Sequence, residues 1–110
     1  MRRAALLCLL LGGCGSAADQ QLAALKSAHS IVAEWAAVAR AQADGRVTDT
    51  YAREMADDAR TQLASARREL QDPNDPAARL IDDLGATPDR AHLDVTASAL
   101  GALEQSRADH

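Results

Sequence analysis

The chain has 110 residues and a formal net charge of −4 at pH 7, which is the size of one small domain. An acidic body is repelled by nucleic acid and by anionic lipid headgroups, so the composition argues against both as ligands. Trp35 and Tyr51 are the only aromatic residues, and alanine is abundant. We therefore expect high helix propensity and a core that buries little area per residue.

The N-terminal segment has the organisation of a secretory signal. Arg2 and Arg3 precede an apolar run, Ala4 to Leu11, which is far too short to span a bilayer. The run ends in Leu11-Gly12-Gly13-Cys14, where a leucine stands three positions before a cysteine with small residues between them. This arrangement resembles the lipobox of bacterial lipoproteins.

The resemblance implies that residues 1–13 are removed and that Cys14 carries a diacylglyceryl thioether, usually with N-acylation. A cysteine with two or three acyl chains is held stably in a membrane, whereas a single chain is held only marginally. The mature protein would then face the periplasm, and Gly15 after the cysteine favours the outer membrane over the inner one. An alternative is ordinary cleavage at Ser16-Ala17-Ala18, which leaves a soluble secreted protein beginning at Asp19.

Processing at Cys14 also changes the charge and the cysteine chemistry. Loss of Arg2 and Arg3 removes two positive charges and takes the net charge from −4 to −6. Cys8 is discarded and Cys14 is lipidated, so the mature chain has no thiol left for a disulfide. Packing or partners must therefore stabilise it. Residues 14–18 form a lipidated anchor and a short tether, and a helical domain is expected over 19–105.

The first half of that domain is predicted to be a helical hairpin. Ser16 and Asp19 have the spacing of a capping box, and a helix is expected over 19–43. Its apolar stripe consists of Leu22, Leu25, Ala28, Val32, Trp35, Ala36 and Ala39. Gly45 is a natural C-cap. Thr48 or Asp49 can cap a second helix over 48–71, whose stripe consists of Ala52, Ala56, Ala59, Leu63, Ala66 and Leu70.

The short loop forces these two helices to be antiparallel. If the turn centres near Gly45 and Arg46, facing positions have numbers that sum to about 91, so Val32 faces Ala59 and Trp35 faces Ala56. Most layers of this register pair a bulky residue with an alanine, which lets the side chains interdigitate.

Two shorter helices are predicted to follow. Asp75 caps a helix over 77–84 with Pro76 at its first position, and Gly85 ends it. A last helix is expected over 88–104, with 106–110 frayed. Its stripe is either Val95, Ala99 and Leu103 or Leu93, Ala97 and Leu100. The predicted fold class is all-α, with an antiparallel helical hairpin covered by one or two shorter helices.

Four side chains beside the hairpin seam form a possible interaction surface, which either the later helices or a partner could cover. They are Ile31, Val38, Tyr51 and Met55. Trp35 and Tyr51 could also line a ligand pocket, although aromatic residues at helical spacing more often belong to a core.

No residue pattern indicates catalysis, a metal site or a cofactor. His29 lacks a partner at helical spacing and is interpreted as a packing residue. Asp89 precedes His92 by three positions and is expected to serve the helix N-terminus. The pairs Asp57-Asp58 and Asp82-Asp83 point about 100° apart on a helix, so they are interpreted as solvated carboxylates.

The sequence therefore favours a non-enzymatic, membrane-anchored interaction or assembly module with an envelope protein as its partner. A carrier or sensor of a small apolar ligand, held between the hairpin and the last helix, is the alternative. The sequence does not specify the oligomeric state.

Overall fold

A computed structural model describes residues 17–85 and 87–108. These residues form four helices, α1 (Ala17–Ala43), α2 (Asp49–Leu70), α3 (Pro76–Leu84) and α4 (Arg90–Ala108), and contain no strand. The all-α fold class is confirmed. The signal segment, Cys14, Ser16 of the expected capping box and residues 109–110 lie outside the described residues.

The turn between α1 and α2 is built as its residues predict. Gly45 has a φ of +74°, and its N–H donates to the Gln42 carbonyl. The N–H of Arg46 donates to the Ala41 carbonyl, which completes a Schellman motif. Thr48 then caps α2 by accepting a 3.0 Å hydrogen bond from the Tyr51 N–H. Together these bonds satisfy several of the backbone groups that the two helix ends would otherwise leave without partners.

The hairpin buries mainly small and aliphatic side chains, with Trp35 as its one buried aromatic residue among the described residues. The buried residues of α1 are Ala24, Leu25, Ala28, Val32, Trp35 and Ala36, and those of α2 are Ala52, Ala59, Leu63, Ala66 and Leu70. Ala39 and Ala56 are partly buried against this core. The Gln42 Nε2 donates to the Asp49 Oδ1 at 3.0 Å, which is the predicted register at the end of the seam next to the turn.

The last helix packs along α1, which therefore lies between two antiparallel neighbours. The His29 Nδ1 lies 2.8 Å from the Glu104 Oε1, and the Arg40 Nη1 lies 3.3 Å from the Asp94 Oδ1. Among the described residues, α2 and α4 make little contact with each other, whereas each packs extensively on α1. The core lies along α1 as a result.

The structure selects one of the two stripes considered for α4. Leu93, Thr96 and Leu100 are buried, whereas Val95 is 66% exposed. The stripe through Val95 is therefore wrong. The helix starts at Arg90 rather than at 88, because Asp89 accepts a 2.8 Å hydrogen bond from the His92 N–H and acts as its cap.

The frayed end predicted from residue 106 is wrong for 106–108, which continue α4. Arg107 accounts for the difference, because its guanidinium binds the Asp75 carboxylate through two hydrogen bonds of 2.7 and 3.2 Å. Asp75 is 7% exposed and also caps α3, as predicted, by accepting from the Ala77 N–H at 2.8 Å. One carboxylate thus joins the start of α3 to the end of α4.

The short helix α3 fills part of the space between α2 and α4. Its residues Ala77, Ala78 and Leu84 are buried in the core. On the side facing α2, the Arg67 guanidinium binds Asp82 of α3 through hydrogen bonds of 2.9 and 3.1 Å. Since α3 has only nine residues, it closes one half of the space and leaves the other half open.

None of the helices in the described ranges combines the length and the apolar character needed to cross a membrane.

Candidate functional site

The open half of the space between α2 and α4 is a groove of about 450 Å³ near the α1–α2 turn. We call it the distal groove. Its apolar wall includes Trp35 and Ala39 from α1, Ala56 from α2, Pro88 just before α4, and Leu93 in the first turn of α4. Its polar rim includes Arg53 and Arg60 of α2, together with Asp49 of α2 and Gln42 of α1, which are hydrogen-bonded to each other. Three helices thus contribute to one concave surface.

Trp35 forms the apolar floor of the distal groove and is 7% exposed. The guanidinium carbon of Arg60 lies 5.8 Å from the centroid of the indole ring, which is a cation–π distance. Arg60 also forms an ion pair with Asp57 one turn earlier on α2. These contacts hold the Arg60 side chain at the mouth of the groove.

Three arginines form a row along α2 towards α3 and the distal groove. Arg53, Arg60 and Arg67 are each seven residues apart, so they share one helix face. Arg67 is bound by Asp82 of α3, and this hydrogen bond is the main reason that the pKa of Arg67 lies above its usual value. Arg53 has no ion-pair partner within residues 17–85 and 87–108. We call these three residues the arginine row.

Sequence reasoning missed the arginine row and the distal groove. The seven-residue spacing of the three arginines is visible in the sequence and could have indicated a common face. The groove itself depends on where α4 begins and on how far α3 extends, and neither follows from periodicity. Trp35, by contrast, was expected in the core and is buried there.

The predicted interaction surface is divided in the structure. Ile31, Val38 and Met55 line one shallow depression of about 30 Å³, whereas Tyr51 is 46% exposed and lies outside its lining. Every residue that lines the depression belongs to α1 or α2. No residue of α3 or α4 lines this depression, and Ile31, Val38 and Met55 are half-buried; Val38 also lines the distal groove.

His29 and the Asp89–His92 pair have the local roles expected from the sequence. His29 packs between α1 and α4, where its ring is hydrogen-bonded to Glu104 and would lie 3.0 Å from a Cβ atom added at Gly101. His92 supplies its backbone N–H to the Asp89 cap. The paired carboxylates Asp57-Asp58 and Asp82-Asp83 are exposed.

Within the described part of the chain, no group of three histidine, cysteine, aspartate or glutamate side chains is placed to hold a metal ion. No family model matches the chain, and neither the curated proteins nor the solved structures include a significantly similar one.

Proposed function

We propose that the protein is a small membrane-anchored lipoprotein that acts as a non-enzymatic interaction or assembly module at the periplasmic face of the cell envelope. The observation that carries this proposal is Leu11-Gly12-Gly13-Cys14 at the end of the apolar run behind Arg2 and Arg3. The acyl chains on Cys14 supply the attachment to the membrane. Gly15 favours the outer membrane as its location.

The start of α1 supports a body held close to its anchor. Because α1 begins at Ala17, only Gly15 and Ser16 separate the helix from Cys14. Two residues span at most about 7 Å when fully extended. The 27 residues of α1 extend roughly 40 Å at 1.5 Å per residue. An upright body therefore has the α1–α2 turn as its most distant point, and a partner on the same membrane lies within its reach.

The charge of the body supports this orientation. After processing the net charge is −6, because two arginines leave a chain of net charge −4. Anionic headgroups repel a long acidic face laid flat on the membrane. The partner is accordingly a protein embedded in or docked on that membrane.

Mass spectrometry of the mature N-terminus tests the anchor. We expect a chain that begins at Cys14 and carries the mass of two or three acyl chains. Cys14→Ser is the matched control and should yield no lipidated species. An unmodified chain beginning at Asp19 would overturn the anchor and leave a soluble secreted protein.

Cross-linking in intact membranes tests the interaction role. The mature protein should be recovered with a defined envelope protein in constant ratio, and the Cys14→Ser protein should lose most of this cross-link. Equal recovery of the same partner by both proteins would show that the membrane does not bring them together.

A second candidate function is the carriage or sensing of a small apolar ligand. It is favoured by a groove of about 500 Å³, lined mostly by the apolar residues Pro76, Leu80, Ala99, Ala102 and Leu103. This groove lies between α3 and α4 and not between the hairpin and the last helix, where the sequence predicts the ligand. This volume is within the range of small-molecule sites. Solvent extraction of the purified protein followed by mass spectrometry should then reveal a stoichiometric small molecule in addition to the anchor. Its absence from protein isolated in mild detergent would argue against this function.

A further inference from the structure

We propose that the distal groove binds a short acidic helical segment of a partner protein, which carries a carboxylate next to aliphatic side chains and pairs with Arg53 and Arg60. The identity of the partner as an envelope protein rests on the proposed function. The capacity of the groove for such a segment rests only on the contacts of the described residues.

The first argument is the distribution of charge. The chain is acidic, with a net charge of −4, yet the arginine row lies along a single face of α2. Two of its members, Arg53 and Arg60, are at the distal groove. The Asp49 carboxylate also lines the groove and Arg60 is ion-paired with Asp57, so Arg53, which has no ion-pair partner among the described residues, is the guanidinium that most strongly attracts an anionic ligand to this surface. Guanidinium groups also match a carboxylate in geometry, because their N–H donors form a planar fork.

The second argument is that the molecule already contains one example of this recognition. Arg67, the third member of the row, is bound in a bidentate manner by Asp82 of the short helix α3. Next to Asp82 along α3, Ile81 packs against the core, and Leu84 is buried in it. A short helix that presents the Asp82 carboxylate beside aliphatic side chains thus occupies the half of the space that contains Arg67.

The third argument is that the distal groove has a similar arrangement of arginine and apolar side chains, but no helix like α3 lies in it. Arg60 and Arg53 are separated by about 10 Å along α2, as are Arg67 and Arg60, because each interval is seven residues at 1.5 Å. In the distal groove, Trp35 and Leu93 form an apolar floor, which corresponds to the core surface that α3 covers in the other half. A helix of about two turns, laid end to end with α3, would place a carboxylate near Arg53 and aliphatic side chains against Trp35.

The only tryptophan in the chain makes this proposal measurable, because Trp35 lines the groove. The full mature protein, in detergent, is titrated with a helix-stapled peptide that has the sequence of Pro76–Leu84. Indole fluorescence is recorded at low and high salt. A matched peptide carries Asp82→Asn and Asp83→Asn. We expect saturable binding of the acidic peptide, weakened by salt, and at least tenfold weaker binding of the amide peptide.

Variants of the protein locate the binding. Arg53→Gln should weaken binding of the acidic peptide about tenfold, which corresponds to loss of one charge-assisted contact of about 1.4 kcal/mol. Arg60→Gln should also weaken binding, but it alters the environment of Trp35 directly, so its effect is measured by calorimetry rather than by fluorescence. Arg68→Gln is the matched control, because Arg68 is exposed on the same helix and outside the groove lining. Circular dichroism checks that all three variants remain folded.

Three results would overturn the inference: no saturation by the acidic peptide up to millimolar concentration, equal affinity for the amide peptide, or equal losses in Arg53→Gln and Arg68→Gln. Any of these would leave the lipid on Cys14 and the membrane cross-link unaffected, so the proposed function would survive. Conversely, peptide binding by a protein that is not lipidated would support the groove and reject the anchored role.

Discussion

Replacement of Asp75 should separate two contributions that one carboxylate makes to stability. Its side chain caps α3 through the Ala77 N–H and binds Arg107 at the end of α4. Removing an aspartate cap costs about 1 kcal/mol, and hydrogen bonds to charged groups contribute about 1.5–3 kcal/mol. We therefore expect Asp75→Ala to lower the free energy of unfolding by roughly 2.5–4 kcal/mol. For a domain of this size that is a fall in Tm of about 10 °C or more.

Asp75→Asn should cost less than Asp75→Ala. Asparagine is as good a cap as aspartate, so the bond to the Ala77 N–H is retained and only the pairing with Arg107 is weakened. We expect a loss of about 1–2 kcal/mol, measured by urea unfolding at pH 7. Asp82→Asn is the control, because it breaks a similar arginine–aspartate pair whose aspartate is 54% exposed, and it should have a smaller effect.

The dependence on pH has a definite sign. Burial is the largest single influence on the Asp75 carboxyl and acts to raise its pKa. The hydrogen bonds from Arg107 and from the Ala77 N–H, with the attraction of Arg107 and Arg67, outweigh burial and hold the pKa of Asp75 below its usual value. The contribution of the ionised Asp75 carboxylate to the free energy of unfolding is therefore fully present above about pH 4, and it is lost as the pH falls through the lowered pKa.

It follows that the difference in stability between wild type and Asp75→Asn should be constant from pH 7 to about pH 4 and should shrink below that. Two results would refute this reasoning. One is an Asp75→Asn protein as stable as wild type at pH 7. The other is a difference that stays unchanged as the pH is lowered to 2.

Three further predictions concern the hairpin and its anchor. Ala59→Leu should overpack the seam opposite Val32 and lower the free energy of unfolding by about 1–3 kcal/mol. The same change at exposed Thr61 is the control and should have little effect. Equal melting temperatures for the two variants would refute the predicted register. Gly45→Ala should lower the free energy of unfolding by about 1 kcal/mol, because φ is +74° at this position and an alanine there is strained. The space around Gly45 is open, so the added methyl group meets no other atom. An unchanged Tm would contradict this prediction. A long Gly/Ser insertion after Ser16 should weaken function in a complementation assay, because it lowers the effective concentration of the helical body at its partner. Full complementation by this variant would show that proximity to the membrane is not needed.

Local signals in the sequence account for most of the secondary structure. Thr48 and Asp75 cap helices where their side chains and neighbours predict, and Gly45 ends α1 in the expected conformation. These features depend on a few adjacent residues, so they can be predicted without knowledge of the rest of the molecule. The antiparallel hairpin follows from the same information, because a short loop leaves no other arrangement.

The long-range contacts could not be predicted in this way. Periodicity allowed two faces of α4, and only packing on α1 buries Leu93 and Leu100 and leaves Val95 exposed. The pair formed by Asp75 and Arg107 joins residues 32 positions apart, and it extends α4 beyond the end expected from composition. The distal groove likewise depends on the side of α1 that α4 covers, which local signals do not specify, whereas the end of α3 at Leu84 is predicted by Gly85.

The central position of α1 has a mechanical consequence. This helix contacts both α2 and α4, and its C-terminal end lies beside the distal groove. In the proposed lipoprotein its N-terminal end would lie next to the anchor at Cys14. A pull between the membrane and the proposed partner is therefore directed along the helix axes. Antiparallel helices pulled in this direction slide past each other in shear, and the contacts of the whole seam resist at once. A pull across the axes would instead separate the same contacts one after another, at a lower force.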